Sequence, residues 1–279
     1  MKNVALLISA LILCSLSSAA ARQSSNGPDR AAQTSTAPSA SHSPLATDVC
    51  SFTFTSGSGP AFLKYCVTGN GNITQFEAPQ GHEHVRVGDF SEGYGICDFN
   101  ANVAYFDYAD SGDSGNWGTA TVLSHSAKSV KIARTTSDGI WTLTQTIAQV
   151  AGTPPLAQIT MTIKNNSAIQ RSMRLFRFVD VDADGVFDNN LDGTFQTSFG
   201  WNSTADGRSY GLAMVNEGKV IFPNAGYAQS TPTGPDPCNP FVNSNFKTIP
   251  KTDGSLVHFY TLDVRRGSSM TVRIAYKGM

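Results

Sequence analysis

From residue 49 onward the chain alternates apolar and polar residues in short runs, with Gly, Asn, Asp and Ser between them, and this period of two is the strongest constraint on its fold. Period two sends successive side chains to opposite faces of a strand, and helical spacing is nearly absent, so the prediction is all-β. Residues 130–135 and 140–147 flank Ser137-Asp138-Gly139, a hairpin turn in which Gly supplies the positive φ. Further strands are predicted at 52–54, 62–67, 73–77, 103–108, 120–124, 156–164, 173–182, 194–201, 210–215, 256–264 and 270–276. More than ten strands in roughly 230 residues exceed what one open, twisted sheet holds, so two packed sheets are expected. The expected architecture is a large antiparallel two-sheet β-sandwich, read as a single domain over 49–279.

Three stretches carry a resemblance. They are Val67-Thr68-Gly69-Asn70-Gly71-Asn72-Ile73-Thr74-Gln75-Phe76, the hairpin 130–146, and 159–181, a strand, the Asn165-Asn166-Ser167 turn and a strand ending in acids. In this order the elements resemble the supersandwich of galactose mutarotase-like domains, in particular the N-terminal domain of bacterial glucoamylases. The domain is also similar to secreted bacterial proteins of unassigned function. The resemblance implies a fold and no catalytic residue, because the family's catalytic His and Glu have no residue-by-residue match in this sequence.

The N-terminal segment reads differently. Residues 1–21 have the parts of a secretory signal: Lys2, an apolar run over 4–14, and small residues over 17–21 ahead of Arg22. Residues 22–48 are rich in Gln, Ser, Thr, Ala and Pro without spaced hydrophobes, and are expected to form a disordered tether. The apolar run falls short of the ~20 residues a membrane span needs, and no transmembrane segment is expected. The prediction is export, to the medium, the periplasm or the cell surface. With 20 Lys+Arg against 21 Asp+Glu and no basic run, the chain lacks the clustered cations that a phosphate backbone requires, which excludes nucleic acid as a partner.

Cys50, Cys66, Cys97 and Cys238 lie beyond the signal, and four cysteines in an exported chain favour two disulfides. A hairpin across the 56–60 turn sets Cys50 opposite Cys66 and leaves Cys97 with Cys238; pairing Cys66 with Cys97 is the competing arrangement.

The sharpest motif is Asp180-Val181-Asp182-Ala183-Asp184-Gly185-Val186-Phe187-Asp188. Calcium takes six to eight oxygens on a flexible loop. Acids at positions 1, 3 and 5 (Asp180, Asp182, Asp184), a turning Gly at 6, a carbonyl from Val186 and an acid at Asp188 supply them. Leu191 stands where an EF-hand has its bidentate Glu, so the likeness is to calcium loops in general. The expected cofactor is a structural calcium ion, and the alternative is an acidic turn solvated by water.

Weaker constellations mark ligand-binding candidates. His82 and His84 share a face if their segment is a strand, and two imidazoles serve a metal only if a third ligand joins them; Asp89, Glu92, His125 and His258 qualify by type alone. Glu92, in Ser91-Glu92-Gly93-Tyr94-Gly95, reads first as part of a turn between strands, and second as a ligand-binding acid whose flanking glycines permit close approach. Tyr105, Asp107 and Trp117, near Asp110 and Asp113, combine aromatic faces with carboxylates, a chemistry that holds sugar rings. Period two puts Tyr105 and Asp107 on one face and Phe106 and Tyr108 on the other, so half of these aromatics are expected in the core. No GxSxG, SxxK, HExxH or P-loop motif occurs.

The reading that follows is an exported, non-catalytic, calcium-stabilised β-sandwich that binds carbohydrate or serves at the cell surface. Its alternative is a carbohydrate-active enzyme of the supersandwich type, an epimerase, lyase or hydrolase, in which His82 or His84 meets Glu92 in a cleft.

Overall fold

A computed structural model of the chain describes residues 49–85, 91–109, 112–218, 225–240, 244–245 and 248–279. The predicted signal (1–21) and tether (22–48), together with Asp89 and Asp110, lie outside the described residues.

The strands in chain order are β1 Cys50–Ser56, β2 Leu63–Thr68, β3 Ile73–Glu77, β4 Ser91–Asp98, β5 Val103–Ala109, β6 Thr121–His125, β7 Ser129–Thr135, β8 Trp141–Val150 and β9 Leu156–Asn165. They continue as β10 Arg171–Asp180, β11 Asn189–Gly193, β12 Thr197–Ser203, β13 Ser209–Asn216, β14 Ala225–Gln229, β15 Ser244–Asn245, β16 Ile249–Thr252, β17 Ser255–Val264 and β18 Ser269–Gly278. They form a nine-stranded sheet in the order β16-β11-β12-β13-β18-β9-β8-β7-β6, a six-stranded sheet in the order β15-β14-β17-β10-β4-β5, and a small sheet β1-β2-β3. Among the described residues every strand pair is antiparallel. The all-β sandwich expected from period two is present, with a third, three-stranded sheet beside the two large ones.

Alternation explains the packing strand by strand. On β8, Trp141, Leu143, Gln145 and Ile147 are buried in turn, and on β9, Ala157, Ile159, Met161 and Ile163. The two strands pair over their whole length, from Trp141 with Asn165 to Val150 with Leu156. The main core collects these residues with Met173, Leu175 and Val179 of β10 and Leu256, Tyr260 and Leu262 of β17. Phe176 and Phe178, on the opposite face of β10, join Tyr108, Tyr227, Val257 and Phe259 in a second cluster. The segment after β14 covers that cluster: the Tyr108 hydroxyl donates to the Pro235 carbonyl at 2.6 Å and the Tyr227 hydroxyl to the Pro240 carbonyl at 2.6 Å.

Two disulfides form, Cys50 of β1 to Cys66 of β2 and Cys97 of β4 to Cys238 in the segment after β14, with Cα separations of 5.6 and 4.9 Å. Hairpin register accounts for the first. The β1–β2 ladder is irregular between Cys50 and Phe52, which sets Cys50 level with Thr68 and still within reach of Cys66.

β4 corrects the sequence reading. Ser91-Glu92-Gly93-Tyr94-Gly95 reads as a turn, yet it is a strand held between β10 and β5. The glycines answer to packing and not to a loop. A Cβ on Gly93 would strike the Asp107 carbonyl, and one on Gly95 would lie 2.6 Å from the Phe176 ring.

Candidate functional site

The acidic loop begins where β10 ends at Asp180. Its backbone is laced on both sides, Val181 N–H to the Gly254 carbonyl (3.2 Å) and Asp182 N–H to the His84 carbonyl (3.0 Å). Asp184 (φ 59°) and Gly185 (φ 75°) then turn the chain back. Asn189 closes the turn from inside. Its Nδ2 donates to the carbonyls of Val181 (2.8 Å), Val186 (2.6 Å) and Phe187 (2.9 Å), and its Oδ1 accepts from Ala183 N–H (3.1 Å).

This geometry splits the five positions expected to hold calcium. Asp180 and Asp182 converge, and the third carboxylate beside them is Asp253, from the turn between β16 and β17; one oxygen of each lies within 4.8 Å of the others. Asp184 instead faces His82, and the Val186 carbonyl is taken by Asn189. Asp188 acts on Asp253 as a neighbouring negative charge. The Asx-rich spacing was legible, whereas Asp253 arrives by tertiary packing from a plain Thr-Asp-Gly turn.

Asp180 and Asp182 are 4% and 1% exposed. One oxygen of Asp180 and both oxygens of Asp182 are buried without a hydrogen-bond partner among the described residues. Burial, with the adjacent carboxylates second, pushes Asp180 up to about 9 and Asp182 up to about 7. Among the described residues the charges acting on these groups are themselves acids, Asp182 and Asp253 on Asp180, and Asp253 and Glu83 on Asp182.

The two histidines stand side by side with separate partners. His82 Nδ1 lies 2.6 Å from Asp184 Oδ1, with the side chains 24% and 22% exposed. Its ring stacks on Tyr210 at 3.5 Å between centroids and 14° between planes. His84 is fully buried: Nε2 donates to the Ala78 carbonyl at 2.9 Å and Nδ1 accepts from Asp184 N–H at 3.2 Å. With one nitrogen donating and the other accepting, the His84 imidazole is neutral, and burial lowers it to about 4. It has no lone pair left for a metal, so the His82/His84 pair is not a metal site. Tyr210 also lines a groove of about 350 Å³, shared with Pro60, Pro79, Pro154 and Met279.

The other sequence candidates lie in the core. Glu92 and Arg177 are both fully buried, and Arg177 Nε donates to Glu92 Oε1 at 2.5 Å. Glu92 also accepts from the Tyr276 hydroxyl (2.7 Å) and from Ile73 N–H (2.5 Å), while Arg177 reaches Gln145 Oε1 (2.6 Å) and the Gly71 carbonyl (3.1 Å). Neither His82 nor His84 is among its partners, so the expected His–Glu92 cleft does not form; the histidine that meets a carboxylate is His82, at Asp184. Asp107, 1% exposed, pairs with Arg134 and accepts from Asn70 (2.9 Å) and Asn72 (3.1 Å). Tyr105, 1% exposed, donates to Asp138 at 2.5 Å, and Trp117, 8% exposed, meets the edge of Tyr94. Tyr105, Asp107 and Trp117 thus offer no open face to a sugar: period two set the first two inward together, and Arg134 makes the carboxylate tolerable there.

No family model and no curated protein matches the chain. Solved structures do match. A bacterial glucoamylase in complex with acarbose aligns with 83% of this chain and 32% of its own, at 9% identity and a TM-score of 0.52. A protein of Escherichia coli K12 provisionally assigned as an aldose 1-epimerase aligns with 82% of this chain and 99% of its own (12% identity, TM-score 0.45). A polysaccharide lyase aligns with 82% and 33% (8% identity, TM-score 0.45). The chain spans about a third of the glucoamylase and of the lyase. The glucoamylase likeness establishes the fold, and it is the supersandwich likeness carried by the sequence. No helix among the described residues is long and apolar enough to cross a membrane.

Proposed function

We propose that the chain is an exported carbohydrate-active protein of the supersandwich type, which holds a sugar in the groove beside Tyr210 and transfers a proton through His82. The observation that carries this reading is the 2.6 Å contact of His82 Nδ1 with Asp184 at a partly exposed position. A carboxylate on Nδ1 holds that nitrogen protonated and leaves Nε2 as the basic atom, while the stacked Tyr210 ring fixes the imidazole plane. The groove of about 350 Å³ matches the low end of small-ligand sites, and its proline and tyrosine surfaces suit the C–H faces of a sugar ring. One His–carboxylate pair serves mutarotation or β-elimination, each of which moves a proton to or from the sugar. Hydrolysis calls for two carboxylates flanking the scissile bond. The two disulfides and the sequence features of residues 1–21 support export.

The test is a panel of aldoses followed by polarimetry, uronate polysaccharides followed by absorbance of the unsaturated product, and a glycan array. The expected result is turnover in one of the first two, reduced at least ~100-fold in His82→Asn. Turnover unchanged in that variant overturns the role of His82. Glycan binding without turnover overturns catalysis and leaves recognition as the function.

A further inference from the structure

The donor set beside Asp182 has a chemistry of its own, independent of any sugar. Three carboxylates come together from two separate parts of the chain, and the two most deeply buried, Asp180 and Asp182, present three oxygens without a hydrogen-bond partner among the described residues. Buried polar atoms in a folded protein nearly always find a partner, and a buried carboxylate surrounded by other carboxylates needs a cation to complete it. Elsewhere in this same core the need is met from within, by Arg177 for Glu92 and by Arg134 for Asp107.

We propose that Asp180, Asp182 and Asp253 form a calcium site that pins the crossover between the two large sheets to the end of β10. Asp253 lies on that crossover, since β16 belongs to the nine-stranded sheet and β17 to the six-stranded one. The donor atoms are all oxygens, and His84, whose carbonyl accepts from Asp182 N–H, has both ring nitrogens engaged, so the site selects a hard cation over zinc or copper. Calcium takes six to eight oxygens in a flexible geometry, whereas magnesium demands a near-ideal octahedron and is usually held by one or two carboxylates, so three converging carboxylates suit calcium. Water and backbone carbonyls complete the six to eight ligands that calcium takes. Compared with the loop expected from sequence, Asp180 and Asp182 remain and Asp253 replaces Asp184, Val186 and Asp188. The ion would hold the backbone that presents Asp184 to His82, yet the site stands without the sugar reading.

The test is isothermal titration of CaCl₂ into the full chain, first stripped with chelator, at pH 8, with Asp182→Asn and Asp253→Asn in parallel. The expected result is one calcium per chain, affinity at least tenfold weaker in Asp253→Asn, and no binding in Asp182→Asn. Asp253 lies on a turn, so its variant keeps the fold, which circular dichroism verifies. No calcium uptake, uptake unchanged in both variants, or magnesium bound as tightly as calcium overturns the proposal. Sugar turnover enters none of these readouts, so its absence leaves the calcium result standing.

Discussion

Two groups of buried acids in this molecule have opposite surroundings. Glu92 and Asp107 each lie against an arginine and accept further hydrogen bonds, from Tyr276 and Ile73 in one case and from Asn70 and Asn72 in the other. Asp180 and Asp182 are buried to a similar depth and are influenced by other acids. The first group is complete as folded, and its charges belong to the architecture. Among the described residues, no cation pairs with the second. Burial alone therefore does not mark a functional carboxylate; the identity of the neighbour does.

The largest expected effect comes from breaking the complete group. Arg177→Met leaves Glu92 buried without its counter-charge, and about 3–5 kcal/mol of stability should be lost in urea unfolding. Loss below about 1 kcal/mol would mean that Glu92 is neutral and that the pair is not an ion pair. Arg134→Met should follow at about 3 kcal/mol, since Asp107 keeps its two asparagine donors.

His258 adds an acid-labile contribution to the fold, beside the like one of buried His84 and the opposite one of Asp180 and Asp182, whose carboxyls are held above the usual range. Burial lowers this imidazole to about 3 from its ordinary 6.5, so the unfolded chain takes up a proton below pH 6.5 that the folded chain refuses until about pH 3. Its contribution is fully present above pH 6.5 and is lost as pH falls toward 3, at up to ~1.4 kcal/mol per pH unit. His258→Asn should flatten that part of the profile; an unchanged slope would assign the acid sensitivity elsewhere.

The smallest effect has the opposite sign. In chelator at pH 8, Asp182→Asn removes a buried negative charge next to others, and stability should stay level or rise by up to ~1 kcal/mol, about 2–4 °C in Tm.

The fold was more legible than the site, for a physical reason. Alternation is local, so β7, β8 and the Ser137-Asp138-Gly139 turn between them emerge from adjacent residues. β4 was hidden because its glycines are demanded by Asp107 and Phe176, which approach from other strands. Glu92 resembled a ligand-binding acid because Arg177, which neutralises it, is 85 residues away. Asp180 and Asp182 stood out through their spacing, while Asp253 and Asn189, which decide how the loop is arranged, carry no motif. Charge compensation is a tertiary property, and one sequence gives no sign of which acid has found its arginine.

The most direct measurement is the unfolding free energy of wild type, Glu92→Gln and Asp182→Asn at pH 8, each with chelator and with millimolar CaCl₂. Wild type and Glu92→Gln should both gain stability with calcium, by about 2.7 kcal/mol at a hundredfold excess over Kd, while Asp182→Asn gains none. Asp182→Asn should then match or exceed wild type in chelator and fall below it in calcium. A variant less stable than wild type by the same amount in both conditions would contradict the account and place Asp182 with Glu92, among the acids that the fold itself completes.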